Sequence, residues 1–435
     1  MRAQSKPRPT SDADCRQGNR MKTVVIGGGV VGLASAYELA VAGCDVTVLE
    51  AGQCGAGASH GNAAKVALAE STPVPAPGVL LQGIKWMLRP DSPLSIRPSV
   101  APGYLKFLLR MATHCNARDF AAGLDLHLRL GSDANELFDE YQRQGIDFEM
   151  HDRGVLLAFE TKERFDEHSA SLAAFESAGH VSERLHGDAV RTAEPALSER
   201  IRHGLFFPAD RQIEPDSLTR ALVGKLQELG ATVREGVSVN SFVRSGDTVT
   251  AVVTIDAEVI TADAVVVAAG VPTSGLLAKL GQKVPIYSGK GYSIDYSPAP
   301  IELRTSLTLE DARVAVTPLN GTLRLAGTME FGSRDDNVNG VRVEAIRRSA
   351  REAFHSWDEP VGEKAPWAGS RPMTPDGLPV IGRLDIAKNA YVNSGHSMLG
   401  LTLAPGSAKV LADVMLDRRP SLSPELLARI SPNRF

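Results

Sequence analysis

This sequence predicts an α/β protein, with a doubly wound parallel-sheet domain interleaved with a mixed-sheet α+β domain. Three observations predict it. Near the start of the chain an apolar run enters a glycine-rich turn, a helical period follows, and a second apolar run closes the unit. Far downstream, Ala264-Val265-Val266-Val267-Ala268-Ala269-Gly270 is apolar throughout, the pattern of a strand covered on both faces. Between these pieces lie stretches of alternating apolar residues, as in antiparallel strands. The 435 residues allow two or three domains, and 43% hydrophobic with 23% charged residues is ordinary for a globular chain.

The first unit is the most informative. Val24-Val25-Ile26 runs into Gly27-Gly28-Gly29-Val30-Val31-Gly32, a G-x-G-x-x-G pattern at 27, 29 and 32. Leu33, Ala36, Leu39 and Ala40 then keep helical spacing up to Gly43, and Val46-Thr47-Val48-Leu49 ends on Glu50, followed by Ala51. Strand, tight turn, helix, strand and acid together form the Rossmann-like fingerprint. Gly27 permits the turn, Gly29 lets backbone approach a pyrophosphate, and Gly32 lets the helix lie close on the strand. The positive helix end receives the pyrophosphate, and Glu50 accepts hydrogen bonds from an adenosine ribose. The chain is therefore expected to bind FAD or NAD through residues 25 to 32 with Glu50 and Ala51.

The remaining elements follow in order. The small-residue loop 51 to 64 is too glycine-rich for regular structure, and prolines punctuate 73 to 102. Residues 103 to 145 read as helical, 155 to 159 as a strand and 162 to 178 as a helix. Glu214-Pro215-Asp216 opens a helix with proline in its first turn, and Gly230 closes it. Strands are expected near 232 to 239, a meander at 249 to 260, and antiparallel strands from 283 to 330. A helix near 341 to 355 and a final one near 407 to 416 complete the pattern. Nucleotide-binding pieces thus recur at 21 to 64, 210 to 271 and 367 to 418. That predicts a discontinuous FAD-binding domain (21–75, 150–275, 365–420), a substrate domain (76–149, 276–364) and a C-terminal tail (421–435). Interleaving of this kind favours flavin, because a simple NAD dehydrogenase keeps its nucleotide domain more contiguous. Residues 1 to 20 read as a disordered tail or a start site placed too far upstream.

Composition excludes several classes. A net charge of −4 gives no reason to expect nucleic acid. Cys15, Cys44, Cys54 and Cys115 are widely spaced, which argues against a disulfide framework or a zinc site and suits a reducing, cytoplasmic compartment. The ten histidines lack ligand spacing, so no metal is expected. No secretory signal or membrane-spanning run is apparent.

The loop Gly55-Ala56-Gly57-Ala58-Ser59-His60-Gly61-Asn62-Ala63-Ala64 follows the acid, where backbone amides wrap a pyrophosphate and approach a flavin ring. The order of Gly27, Gly29, Gly32, Glu50 and this loop resembles the D-amino-acid oxidase superfamily of flavoproteins, which includes glycine and sarcosine oxidases. Pro77-Gly78-Val79-Leu80-Leu81-Gln82-Gly83-Ile84-Lys85-Trp86-Met87-Leu88 resembles a signature of bacterial D-amino-acid dehydrogenase small subunits. So do Gly289-Lys290-Gly291-Tyr292-Ser293, the stretch from Arg371-Pro372-Met373-Thr374-Pro375-Asp376-Gly377 to Gly382, and Ser394-Gly395-His396 through Leu399-Gly400-Leu401-Thr402 to Gly406-Ser407. Members of that group often carry Ala-Asn-Ala-Gly where this chain reads His60-Gly61-Asn62-Ala63-Ala64, which leaves the substrate open.

The resemblance implies a D-amino-acid oxidase-type fold, non-covalent FAD and a site built on named residues. Ser59, His60, Asn62, Ala63, Val239, Ala269, Gly270, Gly400, Leu401 and Thr402 would join the cofactor site. Arg371 would hold a substrate carboxylate, which needs a planar, permanently charged partner. Tyr292 would be an aromatic wall or a core tyrosine, and His396 a flavin neighbour or a structural histidine. Asp376, before Gly377 in a turn, reads as structural. The implied reaction is oxidative deamination of D-amino acids to 2-oxo acids and ammonia, by hydride transfer to flavin and with no protein base required. Electrons would pass to a quinone or membrane acceptor. Residues 76 to 116 carry five cations against Asp91 alone, interleaved with Trp86, Leu88, Leu105, Phe107 and Leu108, so peripheral association with the cytoplasmic face of the inner membrane is expected. Alternatives are a D-hydroxyproline, D-proline or sarcosine/glycine-type dehydrogenase or oxidase, an NAD dehydrogenase, and a flavin-binding electron-transfer subunit without turnover.

Overall fold

The computed structural model describes residues 20–79, 92–97, 101–333, 335–357 and 362–435. Most of the signature at 77 to 88, with Lys85, Arg89 and Asp91, lies outside the described residues.

The apolar run Lys22–Ile26 forms the centre of a six-stranded sheet. Its order is Thr232–Arg234, Asp45–Leu49, Lys22–Ile26, Ala264–Val267, Ala387–Ser394 and Val380–Leu384. The first five strands are parallel and the last turns back antiparallel. Val265, Val266 and Val267 are fully buried, as a strand covered on both faces requires. Helices Val30–Val41, Pro215–Glu228 and Gly400–Met415 share one core with Val25, Val48 and Val266, and Thr273–Leu280 belongs to the core on the other face. This is the doubly wound domain.

The mixed domain is built on a nine-stranded sheet. Trp367–Met373, Tyr287–Tyr296, Thr322–Phe331, Val314–Leu319 and Ser306–Leu309 run antiparallel in that order. Val155–Phe159 then pairs parallel to Ser306–Leu309, His203–Phe207 and Glu183–His186 follow, and the ninth strand, Leu94–Ile96, pairs parallel to the end of Thr322–Phe331. Helix Gly340–Ala353 covers one face, placing Val343 and Ile346 against Leu307, Val316 and Leu325. A small sheet, Lys65–Val66 with Arg211–Ile213 and Met150–His151, joins the two layers.

Three expected boundaries move. The expected cofactor segment beginning at 150 includes strands that belong to the mixed sheet. Val155–Phe159 is buried on both sides, so its continuous apolar run reads alike in either sheet. The final helix starts at Gly400 rather than near 407. Pro405 lies inside it and denies Leu401 a helical partner, at a point still close to the amides that need none. The expected tail 421 to 435 is ordered: helix Pro424–Ile430 buries Ile430, and Arg434 pairs with Asp376 at 2.7 Å. Asp376 is thereby a structural turn residue, as its sequence context indicated.

Candidate active site

One cavity of about 1140 Å³ runs from the carboxyl end of the parallel sheet to the mixed sheet. Its first wall is the glycine turn. Gly27, Gly29, Val30 and Val31 line it, and Gly29 has just enough room beside Ser59, with 3.2 Å from a Cβ position to Oγ. Ser59 Oγ accepts from the Val30 amide at 2.9 Å, while the amides of 31 and 32 keep the free valence of a first helical turn. A Cβ at Gly32 would stand 2.0 Å from the Gly27 carbonyl oxygen, so the helix rests on the turn. Glu50 closes this end, accepting from the amides of Gly28 at 2.7 Å and Gly52 at 2.8 Å. Ala51, Val239, Ala269 and Gly270 line the same region.

The loop 59 to 64 forms the next stretch. Asn62 ties it, donating to Ser59 O at 2.7 Å and accepting from Ala64 N at 2.6 Å. Ser59, Asn62 and Ala63 face the cavity. His60 does not: it points to the far side, where Nδ1 lies 2.8 Å from Asp216. There it borders a second, polar pocket of about 280 Å³ behind Trp367. Val25, Gly28 and Gly32 also stay off the lining and act through strand, turn and packing.

At the far end, Gly400, Leu401 and Thr402 present the first turn of the final helix, and Thr402 Oγ1 accepts from Ala67 N. His396 lines the cavity but is buried, with Nε2 3.1 Å from Ser407 Oγ. Ser407 spends its proton on the Leu403 carbonyl, so His396 donates from Nε2. Burial pushes its pKa down to about 3, and it is neutral.

Arg371 reaches the same space from strand Trp367–Met373. Nη1 donates to Thr328 O at 3.1 Å, and no carboxylate among the described residues pairs with it. Burial alone pushes the guanidinium down to about 10. The cross-strand glycine makes room for it: a Cβ at Gly291 would lie 2.0 Å from Nη1. Tyr292, the next residue, points to the opposite face by strand alternation. It is packed with Ile294 and Tyr296 under helix Gly340–Ala353, its phenol pushed up to about 12 by burial. Tyr292 is therefore absent from the lining, unlike Gly291.

Sequence reasoning missed a buried charged cluster on the cavity wall. Lys65 Nζ donates to Glu70 at 2.7 Å, to the Leu307 carbonyl at 3.3 Å and to Thr308 Oγ1. Nearby Asp210 caps Leu68 and Ala69, and burial pushes it up to about 7. A lone lysine after small residues carries no sequence signal of such a contact. Among the described residues no group of three or more potential ligands could hold a metal.

The cavity thus has a glycine turn, a helix end and an acid at one end and a cation without a carboxylate at the other, a lining that would suit FAD and a small anionic substrate together. A sequence profile of FAD dependent oxidoreductases matches residues 22–414, and this chain belongs to that family. It is 35% identical over 424 residues to a D-amino acid dehydrogenase of Methylobacterium nodulans, covering 94% of this chain and 98% of that one. It is 33% identical over 419 residues to the D-amino acid dehydrogenase of Methylobacterium radiotolerans, covering 94% and 99%. Among solved structures it resembles glycine oxidase from Geobacillus kaustophilus (TM-score 0.75, 23% identity, 96% and 100% covered) and L-proline dehydrogenase from P. horikoshii (TM-score 0.72, 19%, 96% and 98%). The chain is an FAD-dependent oxidoreductase.

Proposed function

We propose that this enzyme oxidises D-amino acids to imino acids, which water converts to 2-oxo acids and ammonia. The carrying observation is Arg371, a cavity-facing guanidinium with a backbone carbonyl for company and no carboxylate among the described residues. Non-covalent FAD, held by the turn at 27 to 32, Glu50 and the 59 to 64 loop, would supply the hydride acceptor. Arg371 fixes the carboxylate, and with it the Cα–H, so that the rate comes from positioning. His396 stays neutral and is tied to Ser407 within the final helix rather than moving a proton. The amides of 400 to 402, at a positive helix end, favour negative charge in their neighbourhood.

Electrons would leave to a quinone-type acceptor at a membrane surface. Helix Pro102–His114 supports this reading, because its Leu105 and Leu109 are exposed beside Lys106 and Arg110, with no acid in the helix. Its inner face, Tyr104, Phe107 and Met111, packs on Met329 and Met373 behind Arg371. No helix among the described residues is long and apolar enough to cross a membrane, so contact would be peripheral. The test is anaerobic mixing of the FAD-loaded enzyme with a panel of D- and L-amino acids and cyclic amino acids. Bleaching of the flavin by D-amino acids is expected; bleaching only by L- or N-substituted substrates would replace the assignment.

A further inference from the structure

We propose that Thr328 and Ser397 complete, with Arg371, a three-point grip on the polar end of the substrate, an inference that rests on the reading of Arg371 above. Among the described residues, six non-glycine positions have left-handed backbone: Ala64, Ala257, Arg313, Thr328, Ser397 and Asp417. Ala257, Arg313 and Asp417 lie in turns, where such backbone is ordinary. Thr328 does not. It sits within strand Thr322–Phe331 at φ 58°, where the register against Tyr287–Tyr296 slips. A β-branched residue there is a true outlier, and strain of this kind persists where the surroundings hold it for a purpose. Ser397, at φ 53°, lies in the turn before the final helix, where such backbone is ordinary, so its case rests on its hydroxyl.

The two residues share further properties. Both line the cavity, both are more than nine-tenths buried, and neither hydroxyl has a hydrogen-bond partner among the described residues. Both are tied to one dipeptide: Arg371 Nη1 donates to Thr328 O, and Ser397 N donates to Pro372 O, each at 3.1 Å. A buried hydroxyl without a partner is costly to keep. Two of them on the wall of a cavity that also holds a cation without a carboxylate point to a ligand that brings the missing partners. Each hydroxyl is itself shielded in the structure, so the grip requires a χ1 step between staggered wells that turns it to the cavity. An α-amino acid supplies both needs. Its carboxylate has acceptor sites beyond those a guanidinium fills, and Thr328 donates to one. Its neutral amine has N–H groups, and Ser397 accepts from one.

The test compares T328V, T328S and S397A with wild type, all FAD-loaded. Three quantities are read: anaerobic flavin reduction by D-alanine, binding of isobutyrate by flavin absorbance, and Tm. T328V should weaken both D-alanine and isobutyrate about tenfold or more, the effect of losing a hydrogen bond to a charged group. T328S should stay within about threefold of wild type, because it keeps the hydroxyl. S397A should weaken D-alanine about tenfold but leave isobutyrate, which has no amine, unchanged. Tm should hold or rise in T328V and S397A, since an unpartnered hydroxyl is removed. Wild-type kinetics in T328V and S397A, or losses that follow a lowered Tm, would overturn the grip while leaving the D-amino-acid assignment intact. A wild type that binds isobutyrate but ignores D-amino acids would overturn that assignment and the role of Ser397, with the isobutyrate arm still deciding Thr328. No isobutyrate binding by a wild type that D-alanine still reduces would overturn the carboxylate contact of Thr328 and leave the assignment standing.

Discussion

Arg371 offers the sharpest perturbation of the site. Replacing it with alanine removes the charge and the fork; replacing it with lysine keeps a charge but loses the planar bidentate geometry. In the structure its guanidinium has one protein oxygen, Thr328 O, so the remaining donors are available to a carboxylate. Hydrogen bonds to charged groups are each worth about 1.5–3 kcal/mol, and two at the lower value correspond to roughly a hundredfold in kcat/KM. Arg371→Ala should therefore lose at least about a hundredfold, with Arg371→Lys in between. Gly291→Ala should reproduce the loss with the arginine still present, because its Cβ would lie 2.0 Å from Nη1 and push aside the end of a flexible side chain. The assay is anaerobic flavin reduction across substrate concentrations, with FAD content and Tm measured alongside. Simple amines without a carboxylate should be indifferent to all three changes. Equal losses for amines with and without a carboxylate, or loss of FAD with activity, would place Arg371 in the scaffold and refute the reasoning.

Other expectations follow from the same geometry. His396 has a native pKa of about 3, well below its unfolded value, so it contributes stability that is whole above the unfolded pKa and lost as pH falls towards 3. The Tm advantage of wild type over His396→Asn should shrink on acidification below about pH 6.5, measured by thermal melts; a gap independent of pH would refute it. Gly32→Ala forces a Cβ to within 2.0 Å of a backbone oxygen and should cost about 1–3 kcal/mol and much of the bound FAD, read from denaturant melts and flavin content. Leu105→Ser with Leu109→Ser should reduce sedimentation with anionic vesicles without changing flavin reduction by substrate; unchanged binding would remove this helix from the interface. Acid precipitation should release the flavin to the supernatant, and colour kept in the pellet would mean a covalent link.

What was legible in the sequence depended on how local its cause was. The unit from Lys22 to Glu50 was legible because strand, turn and helix each follow from neighbours within a few residues. Arg371 was legible as part of a motif, but the reason it fits was not, since Gly291 meets it only across two strands. His60 and Asn62 share a loop of small residues, and no local pattern tells which turns inward. That is decided by Asp216 and by Arg324, whose Nη1 holds His60 O at 2.7 Å from far along the chain. Thr328 and Ser397 left no trace because left-handed backbone is announced by glycine, not by threonine or serine. Lys65 and Tyr292 fail in opposite directions: one is a buried charge held by distant partners, the other a plausible site residue on the wrong face of its strand.

The glycines show the same division between scaffold and site. The sequence has 40 of them, and nothing local separates those that pack backbone on backbone from those that make room for side chains. In the fold, Gly32 and Gly406 bring backbone against backbone: a Cβ would meet Gly27 O at 2.0 Å and Leu130 O at 2.4 Å. These set how closely helices approach the sheet and each other, and nothing flexible there can yield. Gly61, Gly291 and Gly369 instead make room for side chains: a Cβ would lie 1.9 Å from the Trp367 ring at Gly61, 2.1 Å from it at Gly369, and 2.0 Å from the Arg371 guanidinium at Gly291. Trp367 separates the cofactor cavity from the polar pocket that His60 borders. The second group therefore shapes the wall facing substrate, while the first fixes the frame that holds the cofactor loop. Substitutions in the first group act on folding, and at Gly32 on FAD retention as well; Gly61, inside the 59 to 64 loop, bears on FAD too, whereas Gly291 acts on substrate through Arg371.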